Sequence, residues 1–172
     1  MNHILLNLRS LSPLSNGVII SIGAVRFDLN TGKRKTTFHQ NITIQSCLDI
    51  GLEIRGSVMT WWLQQPEKIH KDLLTNQVDI RQALNLFSEF VTKDDYIWSN
   101  SARFNCGLLE NAYTKINKPI CWDYLKERDL RTLFGINSHI EKPNNNTYNV
   151  LEDCYDEIKQ LTGVAKLLNI SV

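Results

Sequence analysis

The 172-residue chain lacks an excess of either charge: 19 Lys+Arg stand against 18 Asp+Glu, a formal charge of +1. No global field pulls such a molecule onto a polyanion or an anionic membrane, so any polyanion site has to be a local patch. Cysteines are few, at 47, 106, 121 and 154, with no CxxC pair among them. Their wide spacing provides neither a zinc knuckle nor a dense disulfide framework, which favours a reduced, cytoplasmic setting. The histidines at 3, 39, 70 and 139 form no HxxxH pair and no Cys/His zinc spacing, so no metal site is expected from them. No apolar run approaches the roughly 18 to 20 residues of a membrane span, and the opening MNHILLNLRS breaks too early for the apolar core of a signal peptide. With 42% hydrophobic residues there is enough apolar material for one ordinary core, and residues 1–172 are expected to form a single domain that does not enter a membrane.

What is present is a clear change of period along the chain. His3 to Leu8 is short and apolar, the SLSPLSNG cluster breaks it, and GVIISIGAVRFD follows as a second strand. Asn30-Thr31-Gly32 signals a turn into TTFHQNITI, so the first 44 residues read as a three-strand meander. Helical spacing takes over from Ser57 to Leu74 and from Ile80 to Val91. Tyr96-Ile97-Trp98 is a short strand, residues 104–115 a helix, and a brief strand leads into RDLRTLF. Pro143 and the Asn144-Asn145-Asn146 run predict a mobile loop over residues 135–149. The last helix carries Leu151, Cys154, Tyr155, Ile158, Leu161, Ala165 and Leu168 as one stripe, with Glu152, Asp153, Asp156 and Lys159 mostly off it. The expected order is βββααβαβα, an α/β fold with a mixed sheet between helices.

Some residues stand out for their chemistry. Trp61 and Trp62 are adjacent on a helix, hence about 100° apart, and only one of them can enter the core. The other is either a packing residue or a stacking platform for nucleotide bases, and Trp62 is taken as that platform. The Lys33-Arg34-Lys35 run at the hairpin turn reads as an ordinary solvated surface. Cys106 and Cys154 fall on helical stripes, as buried small residues would.

Five segments in this order, SIGAVRFD (21–28), SVMTWWLQQ (57–65), WSNSARFN (98–105), ERDLRTL (127–133) and YNVLED (148–153), resemble the DnaQ-like (DEDD) 3'-to-5' exonucleases of the ribonuclease H-like fold. The similarity is to their small bacterial and phage exoribonuclease branch in particular. It implies a five-stranded mixed sheet, with the meander contributing three strands, and a possible homodimer. It also implies hydrolysis of phosphodiesters with two Mg²⁺ or Mn²⁺ ions held by carboxylates, since one ion generates hydroxide while the other stabilises the leaving oxygen. The family places Asp-x-Glu on its first strand, where residues two apart share a face. A third Asp opens a helix after the fourth strand, and a His precedes the fourth Asp by five residues.

Carried over residue by residue, the Asp-x-Glu pair falls on Asn7 and Arg9, the third Asp on Asn105, the His on Tyr148, and the fourth Asp on Asp153. Only Asp153 retains the family's residue. Asn brings no charge, Arg does not release its proton, and a phenol with an ordinary pKa near 10 is a poor base at neutral pH. At an effective dielectric near 20, a unit positive charge 4 Å from a divalent ion is repelled by roughly 8 kcal/mol. The chain therefore reads as a pseudoexonuclease without a resident metal, whose catalytic positions Asn7, Arg9, Asn105, Tyr148 and Asp153 are vestigial. Arg9 is expected to pair with Asp153 in place of a metal. Arg9, Trp62, Arg103 and Arg128 are the candidates for contacting single-stranded RNA or DNA. A protein target is the other partner class. A weakly active metal-dependent exoribonuclease is the alternative, with Glu152 or Asp129 replacing a lost ligand.

Overall fold

The computed structural model describes residues 2–136 and 148–168, and its three longest strands come from the first quarter of the chain. These are β1 (Asn2–Ser10), β2 (Ile19–Phe27) and β3 (Arg34–Ile42), the antiparallel meander read from the sequence. Three helices follow, α1 (Ile44–Asp49), α2 (Gly56–Leu63) and α3 (Glu67–Leu74), then β4 (Gln77–Val78) and α4 (Ile80–Phe90). The remainder is β5 (Asp95–Ser99), α5 (Ala102–Lys115), a single 3₁₀ turn, β6 (Glu127–Asp129), α6 (Leu130–Ile136) and α7 (Val150–Leu167). The sheet order is β4-β3-β2-β1-β5-β6, with β5 parallel to β1 and β6 parallel to β5.

The sheet thus has six strands rather than five. The additional one, β4, is two residues pairing in parallel with Asn41 and Ile42 of β3 at the sheet edge, too short to display alternation. The helix expected over Ser57–Leu74 is two helices separated at Pro66, whose fixed φ and missing N–H end the first and suit the start of the second. Helix α1 occupies the end of the segment read as the third strand. Gly135 lies inside α6, and most of the loop expected over 135–149 falls on residues 137–147, outside the described residues.

β1 is buried on both faces, and this arrangement positions the site. Ile4, Leu6 and Leu8 face the core that α4 and α5 close with Leu84, Phe87, Leu108 and Leu109. Leu5 faces the other core, beneath Cys154, Ile158 and Leu161 of α7. Asn7 and Arg9 continue the Leu5 face by alternation, so both polar side chains run beneath α7.

Helix α7 reaches that close to the sheet because β2 has Gly23 opposite Asn7. A Cβ at Gly23 would sit 2.5 Å from Val150 Cγ2 and 3.1 Å from its backbone carbonyl carbon. Gly23→Ala is therefore expected to lift the first turn of α7 and destabilise the protein by about 1–3 kcal/mol, the cost of overpacking. A shift in the urea midpoint at unchanged slope measures it.

Candidate functional site

The first turn of α7 crosses the C-terminal end of β1 in the opposite direction, and four polar side chains meet there. Arg9 donates from Nη2 to Oδ2 of Asp153, an ion pair whose acid is 2% exposed and whose base is 15% exposed. The same guanidinium donates from Nε to the Tyr148 carbonyl at 3.3 Å and from Nη1 to that of Leu8 at 3.2 Å. One turn further along α7, Asn7 donates from Nδ2 to Glu157 Oε2 at 2.8 Å and to Cys154 Sγ at 3.6 Å. The match is geometric. Two residues of strand advance about 6.8 Å and four residues of helix about 6 Å, so an antiparallel pair sets Arg9 against Asp153 and Asn7 against Glu157.

Asp153 was read as lying off the apolar stripe; the structure buries it, because the polar face of this turn of α7 lies over Arg9 rather than over solvent. Glu157 is the site residue that sequence reasoning missed. It is fully buried, and an acid at i+4 from Asp153 was the available signal, since that spacing stacks the two carboxylates on one helix face. Cys154 lies between them, and burial pushes its thiol well above the ordinary range. Burial likewise raises Cys47, to about 11, as well as Cys106 and Cys121, so none of the four is poised as a nucleophile.

Asn105, in the first turn of α5, is buried and donates its amide to Ser99 Oγ at 2.6 Å. Arg103 is exposed two residues before it. Asp129 is committed to structure: it accepts from the backbone N–H of Ala102 at 3.0 Å and of Arg131 at 2.9 Å, joining the starts of α5 and α6. Burial alone would raise its pKa, but the Arg131 guanidinium and these N–H groups hold it low. Glu152 is exposed.

Two of the nucleic-acid candidates, Trp62 and Arg128, are engaged in contacts of their own. Trp62 is 6% exposed and donates its Nε1 to the Ser10 carbonyl at 3.0 Å, which makes it the core member of the pair. Trp61 is 47% exposed, and the two rings form a cluster with Tyr148, Trp61 lying 5.8 Å and Trp62 6.2 Å from it. Arg128 does not join Arg9 and Asp153. Its guanidinium lies 4.8 Å from the Tyr96 ring, which stacks on His3 at the start of β1, six residues or about 20 Å along the strand from Arg9. Tyr148 itself has a left-handed backbone, φ 58°, which costs a non-glycine residue about 1–2 kcal/mol and is steadied by the Arg9 bond to its carbonyl.

The residues do not fit a pair of divalent ions. A guanidinium lies against the Asp153 carboxylate, and Asn7 turns its donor nitrogen, not an electron pair, toward Glu157. Among the described residues no three His, Cys, Asp or Glu side chains converge as a metal site. No helix among them is long and apolar enough to cross a membrane.

Comparison with known proteins gives the same fold. Exonuclease I superposes with a TM-score of 0.70 at 10% identity, over 96% of this chain and 41% of that one. A zinc-bound E. coli exonuclease I complex with single-stranded DNA gives 0.69 at 12% identity, over 98% and 41% of the two chains. The nuclease domain of 3'hExo, a DEDDh family member bound to rAMP, gives 0.61 at 12% identity, over 98% and 92%. The chain thus spans less than half the length of exonuclease I. Curated protein sequences contain no significant match to it. The model of the 3'-5' exoribonuclease Rv2179c-like domain matches residues 2–161, nearly the whole chain. With this ribonuclease H-like sheet and the five ordered motifs, the chain belongs to the Rv2179c-like 3'-5' exoribonuclease domain family.

Proposed function

We propose that this exonuclease-family domain has given up two-metal hydrolysis and acts by binding, with single-stranded nucleic acid as its ligand. The observation that carries the reading is the Arg9–Asp153 pair: a fixed cation neutralises the remaining catalytic acid where the family gathers metal ions. An exposed Trp61 ring, 5.8 Å from Tyr148, then offers an aromatic face beside the Arg9 pair's neighbour. Base stacking on such a surface contributes about 1–3 kcal/mol per base and tolerates any sequence. Arg103, exposed at the start of α5, adds positive charge near Asn105.

Binding of a labelled single-stranded oligonucleotide is expected to persist in EDTA. Trp61→Ala is expected to weaken it by about 5- to 150-fold, the equivalent of one lost stack, while Trp62→Ala acts through stability instead. Fluorescence anisotropy checks both. Metal-dependent 3' shortening of the oligonucleotide would instead establish the active-enzyme alternative, in which Glu157 helps Asp153 to hold an ion.

A further inference from the structure

Far from the cleft, the β2–β3 hairpin and the C-terminal half of α7 enclose a groove of about 520 Å³. The hairpin is a rigid wall. Asp28 accepts from the Thr31 backbone N–H at 2.8 Å and hydroxyl at 2.7 Å, bonds that hold its carboxyl below the usual range, and Gly32 N–H bonds to the Asp28 carbonyl at 2.8 Å. Arg34, leaving this turn, lays its guanidinium 4.1 Å from the Tyr155 ring centroid. Stacking fixes the plane of the group and leaves its N–H edge unused, for no acceptor among the described residues takes a hydrogen bond or ion pair from it.

Lys159, Thr162 and Lys166 line the opposite wall at i, i+3 and i+7, one face of α7. Neither lysine forms an ion pair among the described residues. Thr162 is 6% exposed, and its hydroxyl is buried with no hydrogen-bond partner. Gly32 (φ +71°) is what brings the hairpin against it, since a Cβ there would lie 3.1 Å from Thr162 Oγ1. Asp156 is the lone acid of the lining. Three cations against one anion make this groove more positive than the chain's overall +1. The attraction of Lys166 to the helix C-terminus accounts for that lysine only. A guanidinium stacked on Tyr155, two lysines without ion pairs and an unsatisfied hydroxyl in the same lining are donors of the kind that a tetrahedral oxyanion takes.

We propose that the groove binds phosphate groups, and that its ligand is the sugar-phosphate backbone of a single-stranded polynucleotide, held about 14 Å along α7 from Asp153. Arg34 grips a phosphate through its fork, Lys159 and Lys166 balance the charge, and the Thr162 hydroxyl donates to an oxygen. The proposal rests on the nucleic-acid reading above and adds a second, stacking-independent contact to it.

The test uses the full chain, a labelled 12-residue oligo-U and oligo-dT read by anisotropy between 50 and 200 mM NaCl, and inorganic pyrophosphate followed by backbone amide NMR. The double variant Arg34→Gln/Lys159→Gln is expected to lose tenfold or more in affinity. Its log Kd against log[salt] slope should fall by about 1.4, two counterions' worth at about 0.7 each. Pyrophosphate should shift the Gly32 and Thr162 amides in the natural protein and not in the double variant. Lys35→Gln, which removes a neighbouring cation outside the groove, is the control for general surface charge and should lose less than threefold. Oligonucleotide affinity unchanged in the double variant, or an equal loss in Lys35→Gln, overturns the groove and leaves the Trp61 reading standing. Amide shifts with pyrophosphate but no binding of either oligonucleotide by the natural protein overturn the polynucleotide assignment, and the nucleic-acid reading with it, leaving a site for free phosphate.

Discussion

Replacing Asn7 by Asp and Arg9 by Glu together is expected to give a protein whose unfolding temperature rises with added Mn²⁺. Both positions face α7, where Asp153 and Glu157 are already buried at 2% and 0% exposure. The double change removes the cation paired with Asp153 and adds two carboxylates within the same few ångströms. Without metal, four acids then share a dry pocket, and stability should fall by at least about 4 kcal/mol, as when a buried ion pair loses its partner. With metal the charge count inverts: hard oxygen donors converge on a divalent ion. At a concentration a hundredfold above Kd, the ion returns about 2.7 kcal/mol. For a chain of this size that corresponds to roughly 5–10 °C in melting temperature, and the natural protein should move by less than about 1 °C. Hydrolysis is not expected to return with these two changes, because Asn105 still holds Ser99 and Tyr148 still replaces the family's His. Differential scanning calorimetry with and without Mn²⁺ decides the matter.

The second large effect concerns the pair itself. Arg9→Met keeps the bulk of the side chain but leaves Asp153 without its cation and one turn from Glu157. A loss of about 3–5 kcal/mol is expected in urea unfolding. Arg9→Met/Asp153→Leu removes both charges and should recover most of that loss, since a well-packed apolar pair commonly matches a buried ion pair. A coupling energy of about 2 kcal/mol or more across the cycle would identify Arg9 as the counter-ion of Asp153. Additive losses would mean that the two side chains are merely neighbours.

The parts of this fold that were legible in the sequence are those with a long repeat of one period. The β1–β3 meander and the α7 stripe each extend over nine or more residues, and their faces follow from alternation or helical spacing. β4 is two residues whose partner is a strand some 36 positions earlier, so no local pattern marks it. The break at Pro66 was visible as a proline and was overridden by the apolar spacing on either side.

The site was legible to the extent that charge and register decide it. Asn7 and Arg9 had to share a face, and an arginine on the face beneath α7 pairs with Asp153 of its first turn. Glu157 was legible only through its i+4 spacing from Asp153, because its hydrogen-bond partner is an amide 150 residues away and an acid on a helix ordinarily meets water. Helical geometry required one tryptophan of the pair to go inside; which one was fixed by the free carbonyl of Ser10, a feature of the chain path and not of the residue type.

Whether Arg9 stands where a metal ion would have to be is tested most directly by titration of Mn²⁺ into the natural protein in a calorimeter, followed by incubation with 5'-labelled single-stranded RNA. The predicted result is no saturable heat and RNA of unchanged length. Two ions bound per chain, with stepwise 3' shortening that Asp153→Ala abolishes, would contradict it.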